Sequence, residues 1–149
     1  MGFDKCNALV VGLLREALVA QGRAALARLP AAERRGSTLL FSMGKLLKNM
    51  GKLEEARPLL KEDLQGNRET LGDRHPGTLR SVYNLAYLLE NQGKITEAIP
   101  LFTEELKGCV SLHGMADKET RTSAKHLAKL LRNADQRDEA EALAAKYGV

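Results

Sequence analysis

Tryptophan is absent and aromatic residues make up only 4% of the chain. Alanine and leucine carry the apolar content instead, a choice that favours helix over strand. Cysteine is equally sparse: Cys6 and Cys109 form no CxxC pair and no Cys/His metal spacing, so they read as two free thiols rather than a disulfide framework or a zinc site. No apolar run approaches the ~20 residues a membrane-spanning helix needs. The longest, Ala8 to Leu14, is broken by Gly12 and followed by Arg15-Glu16. No secretory leader is visible at the N-terminus. Membrane insertion is therefore not expected, and a soluble intracellular or organellar compartment is expected over secretion. A large charge of one sign is also missing. Lys and Arg number 23 against 19 Asp and Glu, a net +4 that permits an acidic partner without arguing for nucleic acid. With 44% apolar and 28% charged residues over 149 positions, the chain fits a single soluble domain with a core of its own.

What the sequence does contain is a repeat. Asn49-Met50-Gly51-Lys52-Leu53-Glu54-Glu55-Ala56 returns as Asn91-Gln92-Gly93-Lys94-Ile95-Thr96-Glu97-Ala98, and again, degraded, as Asn133-Ala134-Asp135-Gln136-Arg137-Asp138-Glu139-Ala140. The period is 42 residues without insertion. Leu46-Leu47, Leu88-Leu89 and Leu130-Leu131 align upstream. Leu85, Leu88 and Leu89 stand at i, i+3 and i+4, one helix face. Gly93 suits the left-handed residue that ends a helix, and Ala98, Leu101 and Phe102 restart the helical period. Gly44, Ala86 and Ala128 on the first helices match Ala56, Ala98 and Ala140 on the second, small residues where two helices approach closely.

The spacing predicts first helices near 37–50, 78–92 and 120–134 and second helices near 53–67, 95–109 and 137–147, with an extra helix near 5–27. Within residues 1–149 the divisions are an N-terminal helix and loop (1–36) and repeats over 37–77, 78–119 and 120–149. Pro76 suits a first helical turn, and Pro58 and Pro100 are read the same way. Leu13-Leu14-Arg15-Glu16-Ala17-Leu18 is similar to Leu59-Leu60-Lys61-Glu62-Asp63-Leu64, so the extra helix reads as the second helix of a hairpin.

The run Glu69-Thr70-Leu71-Gly72-Asp73-Arg74-His75-Pro76-Gly77-Thr78, followed by Tyr83-Asn84-Leu85-Ala86 and by Gln92-Gly93-Lys94 with Glu97-Ala98, resembles the kinesin-light-chain type of tetratricopeptide repeat (TPR). The likeness covers about 37–147 and is strongest over 69–106. It implies an all-α fold, a right-handed α-α superhelix (TPR solenoid) of three helical hairpins plus the N-terminal helix, and a role in binding peptides or proteins. There are departures. Asp63 and Glu105 replace a small Ala of the second helix. The third copy has Asp135 for the turn Gly and Asp117-Lys118 for the His-Pro step, so its hairpin is expected to be less regular or to end the array.

In such a solenoid first helices line the concave side. The resemblance then places Thr38, Phe41, Ser42, Lys45, Lys48 and Asn49 there, with Arg80, Tyr83, Asn84, Tyr87, Glu90 and Asn91, and Thr122, Lys125, His126, Lys129, Arg132 and Asn133. Six cations face one anion, Glu90. Second helices concentrate Glu and Asp. A basic groove with an acidic back predicts an acidic, extended ligand, with an anchor near Tyr83 and Tyr87 and backbone contacts from Asn49, Asn91 and Asn133. The alternative is an ordinary solvated face with Asn as helix-end residues. The N-terminal helix offers a second surface: Leu9, Val10, Val11, Leu13, Leu14, Leu18 and Val19 exceed one packed face, and Leu9, Val10, Leu13 and Leu14 either cap the first hairpin or meet a partner.

Catalytic signals are missing. Gly51-Lys52 and Gly93-Lys94 lack phosphate-loop spacing and a following Ser or Thr. His75, His113 and His126 form no ligand pattern, and His75 is assigned to loop hydrogen bonding beside Pro76. No enzyme, cofactor, metal or nucleic acid is expected. The leading reading is a protein-interaction module or scaffold binding an acidic segment. The alternative is a structural accessory subunit of a large multi-protein assembly, membrane-associated assemblies included, that contacts its neighbours through the apolar N-terminal helix and loops.

Overall fold

A computed structural model describes the backbone of residues 3–35 and 37–149, and side-chain surroundings within these except for 3–9 and 32. The side chains of Cys6 and Leu9 therefore lie outside what is described. Eight helices and no strand are found among the described residues: α1 Phe3–Arg28, α2 Ala31–Arg35, α3 Thr38–Asn49, α4 Leu53–Leu71, α5 Pro76–Asn91, α6 Ile95–His113, α7 Lys118–Asn133 and α8 Arg137–Tyr147. The short α2 was not anticipated within the loop ending at residue 36. The chain divides into two compact units, Met1–Asp63 and Leu64–Val149.

In the first unit, α1 packs on α3 through Val19, Gly22 and Leu26, all buried. A Cβ on Gly22 would stand 2.2 Å from Met43 Sδ, so the absence of a side chain sets that approach. Gly44 serves α3 against α4 in the same way, with Leu60 Cδ2 2.7 Å from where its Cβ would be. Lys52 reaches Glu16 at 2.6 Å, Arg34 reaches Glu62 at 2.6 Å, and Arg23 pairs with Glu55.

In the second unit, α5 to α8 pack in sequence order around Val82, Leu85, Leu88, Phe102, Leu106, Leu127 and Leu130, all buried. Each such side chain contributes about 1.5–3 kcal/mol of transfer free energy. Ala86, Ala98, Ala128 and Ala140 are buried at the expected helix approaches.

The turns repeat atom for atom. Lys52 N–H donates to Leu47 O, Lys94 N–H to Leu89 O and Gln136 N–H to Leu131 O, each at 2.9 Å. These are the six-residue bonds of a Schellman end. Gly51 and Gly93 take φ of 76° and 73°, and Asp135 takes the same left-handed conformation at 60°. The third hairpin thus keeps the turn without its glycine, and the expected irregularity at this turn is not found. The preceding loop is conserved in geometry too. His75 caps α5 by accepting from Gly77 N–H at 3.0 Å, while Asp117 caps α7 by accepting from Glu119 N–H at 2.8 Å and Thr120 N–H at 3.3 Å. These bonds hold the Asp117 carboxyl below its ordinary pKa, Thr120's first and Glu119's second.

Two local expectations need correction. The second helices α4 and α6 run four residues past 67 and 109, to Leu71 and His113. Gly72 and Gly114, at φ 86° and 85°, follow their ends. Pro58 and Pro100 stand at the sixth helical position rather than in the first turn. They leave the carbonyls of Glu54 and Thr96 without a main-chain donor four residues on, tolerable because both residues are exposed to water.

Candidate protein-interaction face

On α5, Arg80, Tyr83 and Asn91 are exposed, and Tyr87 and Glu90 are half-buried. On α7, Thr122, Lys125, Lys129, Arg132 and Asn133 are exposed. The helical period places these α7 residues on one side because apolar Ala124, Leu127, Ala128 and Leu131 take the other. The two helices are tied at this face. His126 Nε2 donates to Glu90 Oε2 at 2.9 Å. The only anion of the expected row is thus already engaged by a neighbouring ring.

Aromatic contacts continue the tie. Tyr83 stacks on Tyr87 with centroids 6.1 Å apart, and meets Phe102 edge-on at 5.7 Å. Phe102 in turn meets His126 at 4.8 Å. Phe102 is buried between them on α6, so α5, α6 and α7 share one ring cluster. Burial, then Tyr87, Glu105 and Glu90, push the Tyr83 phenol above its ordinary pKa.

Some expected residues are placed elsewhere or occupied. Asn84 is buried, with Nδ2 donating to Arg80 O at 2.7 Å. Thr122 Oγ1 donates to Lys118 O at 2.8 Å. Arg132 pairs with Glu141 of α8 at 3.1 Å. In the first unit, Thr38, Ser42, Lys45 and Asn49 of α3 are exposed, and Phe41 and Lys48 half-buried. Burial first, then Lys45, lowers the Lys48 pKa. On α1, Val10, Val11, Leu13, Leu14 and Leu18 are exposed, Leu13 and Leu14 at 65% and 64%.

A group beside the face was not assigned from sequence. Glu105 on α6 is only 7% exposed. Its Oε1 accepts from Ser123 Oγ of α7 at 3.0 Å and from Cys109 Sγ at 3.1 Å, while Oε2 is buried without a hydrogen bond. Desolvation, then the Glu105 hydrogen bond and charge, push the Cys109 thiol up to about 12. The available signal was chemical: a carboxylate at a second-helix position where a small residue is expected. Among the described residues there is no group of three or more His, Cys, Asp or Glu placed to hold a metal, and no helix long and apolar enough to cross a membrane.

Comparison with known proteins agrees with this architecture. A family model described as tetratricopeptide repeat matches residues 35–109. BtubC (BKLC) from P. vanneervenii superposes with TM-score 0.72 at 16% identity, covering 89% of this chain and 54% of that one. This chain therefore spans about half the length of that protein. The nearly identical TPR-like repeats of a candidate kinesin light chain from Podosopora anserina superpose with TM-score 0.72 at 20% identity, covering 95% of this chain and 69% of that one. At such identities the likeness is one of fold. No curated protein sequence matches significantly. With the family model spanning half of the chain, over hairpins whose turns and close helix approaches recur at 42 residues, the chain belongs to the tetratricopeptide-repeat family, a fold of protein-interaction modules.

Proposed function

We propose that the chain is a non-enzymatic interaction module that binds an acidic, extended segment of another protein along the cationic face of α5 and α7. One observation carries the reading. Arg80, Lys125 and Lys129 are exposed there, while Glu90, the row's only carboxylate, is engaged by His126. An acidic chain approaching this face meets cations without an opposing exposed acid of the row, which favours encounter and sets its orientation. Tyr83 and Tyr87 supply a stacked aromatic surface for an apolar anchor. Exposed Asn91 and Asn133 offer amide donors and acceptors to a ligand backbone.

The test is fluorescence anisotropy with a labelled Glu- and Asp-rich peptide and its Gln/Asn counterpart. Binding should be selective for the acidic peptide and weaken with salt. Reversing charge in the triple variant Arg80→Glu, Lys125→Glu and Lys129→Glu should weaken it by at least about tenfold. Undiminished affinity in that variant rejects the reading.

A second reading, an accessory subunit of a larger assembly, rests on the exposed apolar side chains of α1. Its expected signature is stoichiometric co-purification with a neighbour that is lost on Leu13→Ser and Leu14→Ser. Co-purification unaffected by that pair would count against it.

A further inference from the structure

Between α5, α6 and the start of α7 lies a cavity of about 220 Å³. Pro76, Leu79, Tyr83 and Leu112 provide its apolar walls. Its ionisable lining is Glu105, Glu119, Arg80 and His113, with the Tyr83 phenol and the Cys109 thiol. Two carboxylates against one guanidinium give this lining a net negative charge at neutral pH, whereas the whole chain carries +4. Its unusual member is Glu105: 93% buried, with one carboxylate oxygen held by Ser123 and Cys109 and the other unpartnered. A buried acceptor without a donor is costly, and most such atoms in folded proteins find a partner.

We propose that this cavity is a binding site for a single cationic side chain, a lysine or arginine of a partner protein, with Glu105 Oε2 as its acceptor. The methylene stem lies along Leu79, Leu112 and the Tyr83 ring, as long cationic side chains do on apolar surfaces. The charged head is drawn to Glu105 with Glu119 nearby, and the Tyr83 face adds a cation–π contribution. The terminal torsion of a glutamate is soft, and occupation of the site requires that it turn to present Oε2 to the bound cation. The site borders the cationic face and shares Arg80 and Tyr83 with it, but its acceptor, Glu105 of α6, is no part of the cationic row. Cys109 takes no covalent part, since its thiol stays protonated near neutral pH.

The experiment is an NMR titration of the ¹⁵N-labelled full chain with Nα-acetyl-lysine N-methylamide. Nα-acetyl-norleucine N-methylamide supplies the same stem without the charge. Saturable shifts are expected for the lysine probe at the amides of Leu79, Cys109 and Glu119, with roughly millimolar Kd. Nα-acetyl-arginine N-methylamide saturating the same amides gives equal support. Glu105→Gln, which keeps the side-chain shape, should weaken the lysine probe by at least about tenfold, the scale of one charge-assisted hydrogen bond. Lys129→Glu should leave it unchanged, so failure of the cationic-row reading cannot be mistaken for failure of this one. Equal shifts with norleucine, unchanged affinity in Glu105→Gln, or no saturable shift with either cationic probe overturns the proposal. The norleucine comparison needs no variant and stands even if Glu105→Gln misfolds.

Discussion

Two junctions between successive hairpins, α4 to α5 and α6 to α7, occupy equivalent positions 42 residues apart and are satisfied differently. At the first, Asn67 Nδ2 donates to Ser81 Oγ at 2.8 Å, and Thr78 Oγ1 donates to Gly72 O at 2.7 Å. At the second, Cys109 stands for Asn67, Ser123 for Ser81 and Thr120 for Thr78. With no amide to donate, the Ser123 hydroxyl turns to Glu105. Thr120 Oγ1 and Glu105 Oε2 are both left buried without partners. The serine hydroxyl takes an amide donor at the first junction and serves a carboxylate at the second, and the second junction keeps two buried polar atoms without hydrogen bonds. An imperfectly satisfied junction is also where a ligand donor gains most, because water has already been removed from the acceptor.

The largest expected effect is a reversal of sign between equivalent threonines. Thr78→Val should cost about 1–2 kcal/mol by removing a made hydrogen bond. Thr120→Val should be neutral or stabilising by up to about 1 kcal/mol, since it deletes an orphaned hydroxyl at constant shape. Urea denaturation of the two variants measures both, and equal losses would show that the junctions are not distinguished by hydrogen bonding. Next, Cys109→Asn should restore the first junction's donor at the second and gain about 1 kcal/mol, read in the same way. A smaller gain, about 0.5 kcal/mol, is expected for Asp135→Gly, because glycine takes the left-handed turn without the Cβ penalty but loses more chain entropy.

The least change concerns the thiol itself. In a Cys6→Ser background, iodoacetamide should alkylate Cys109 much more slowly in the folded chain than in urea at pH 8. The folded pKa is raised to about 12 from an ordinary value of 9.0, so the native state holds its proton longer. That contribution to stability is fully present below pH about 9 and is lost as pH rises toward 12. Relative to Cys109→Ala, the parent chain should therefore lose stability over that window, and a pH-independent difference would place the thiol in an unperturbed environment.

The repeat spacing alone located all three hairpin turns, because a Schellman end needs one left-handed residue and its neighbours at fixed offsets. It also located the small residues at the helix approaches, since only Gly and Ala admit so close a neighbour. Helix ends were less legible. Leu71 and His113 extend α4 and α6 because Gly72 and Gly114, read from sequence as loop, mark where these helices stop. The cationic row was legible as a column of charges, but not that Asn84 turns inward to the Arg80 carbonyl or that His126 engages Glu90. These depend on which neighbour each side chain meets across α5, α6 and α7.

Sequence by itself determined the family, the period, the helical hairpins and the chemistry at each repeat position, including the carboxylate at 105 in place of a small residue. Tertiary structure alone decided what that carboxylate became. On an isolated α6 it would be one more solvated acid. Packed against α7, with Ser123 and Cys109 on one oxygen and nothing on the other, it becomes a buried acceptor beside a cavity, because hydrogen-bond satisfaction depends on the partners that packing supplies.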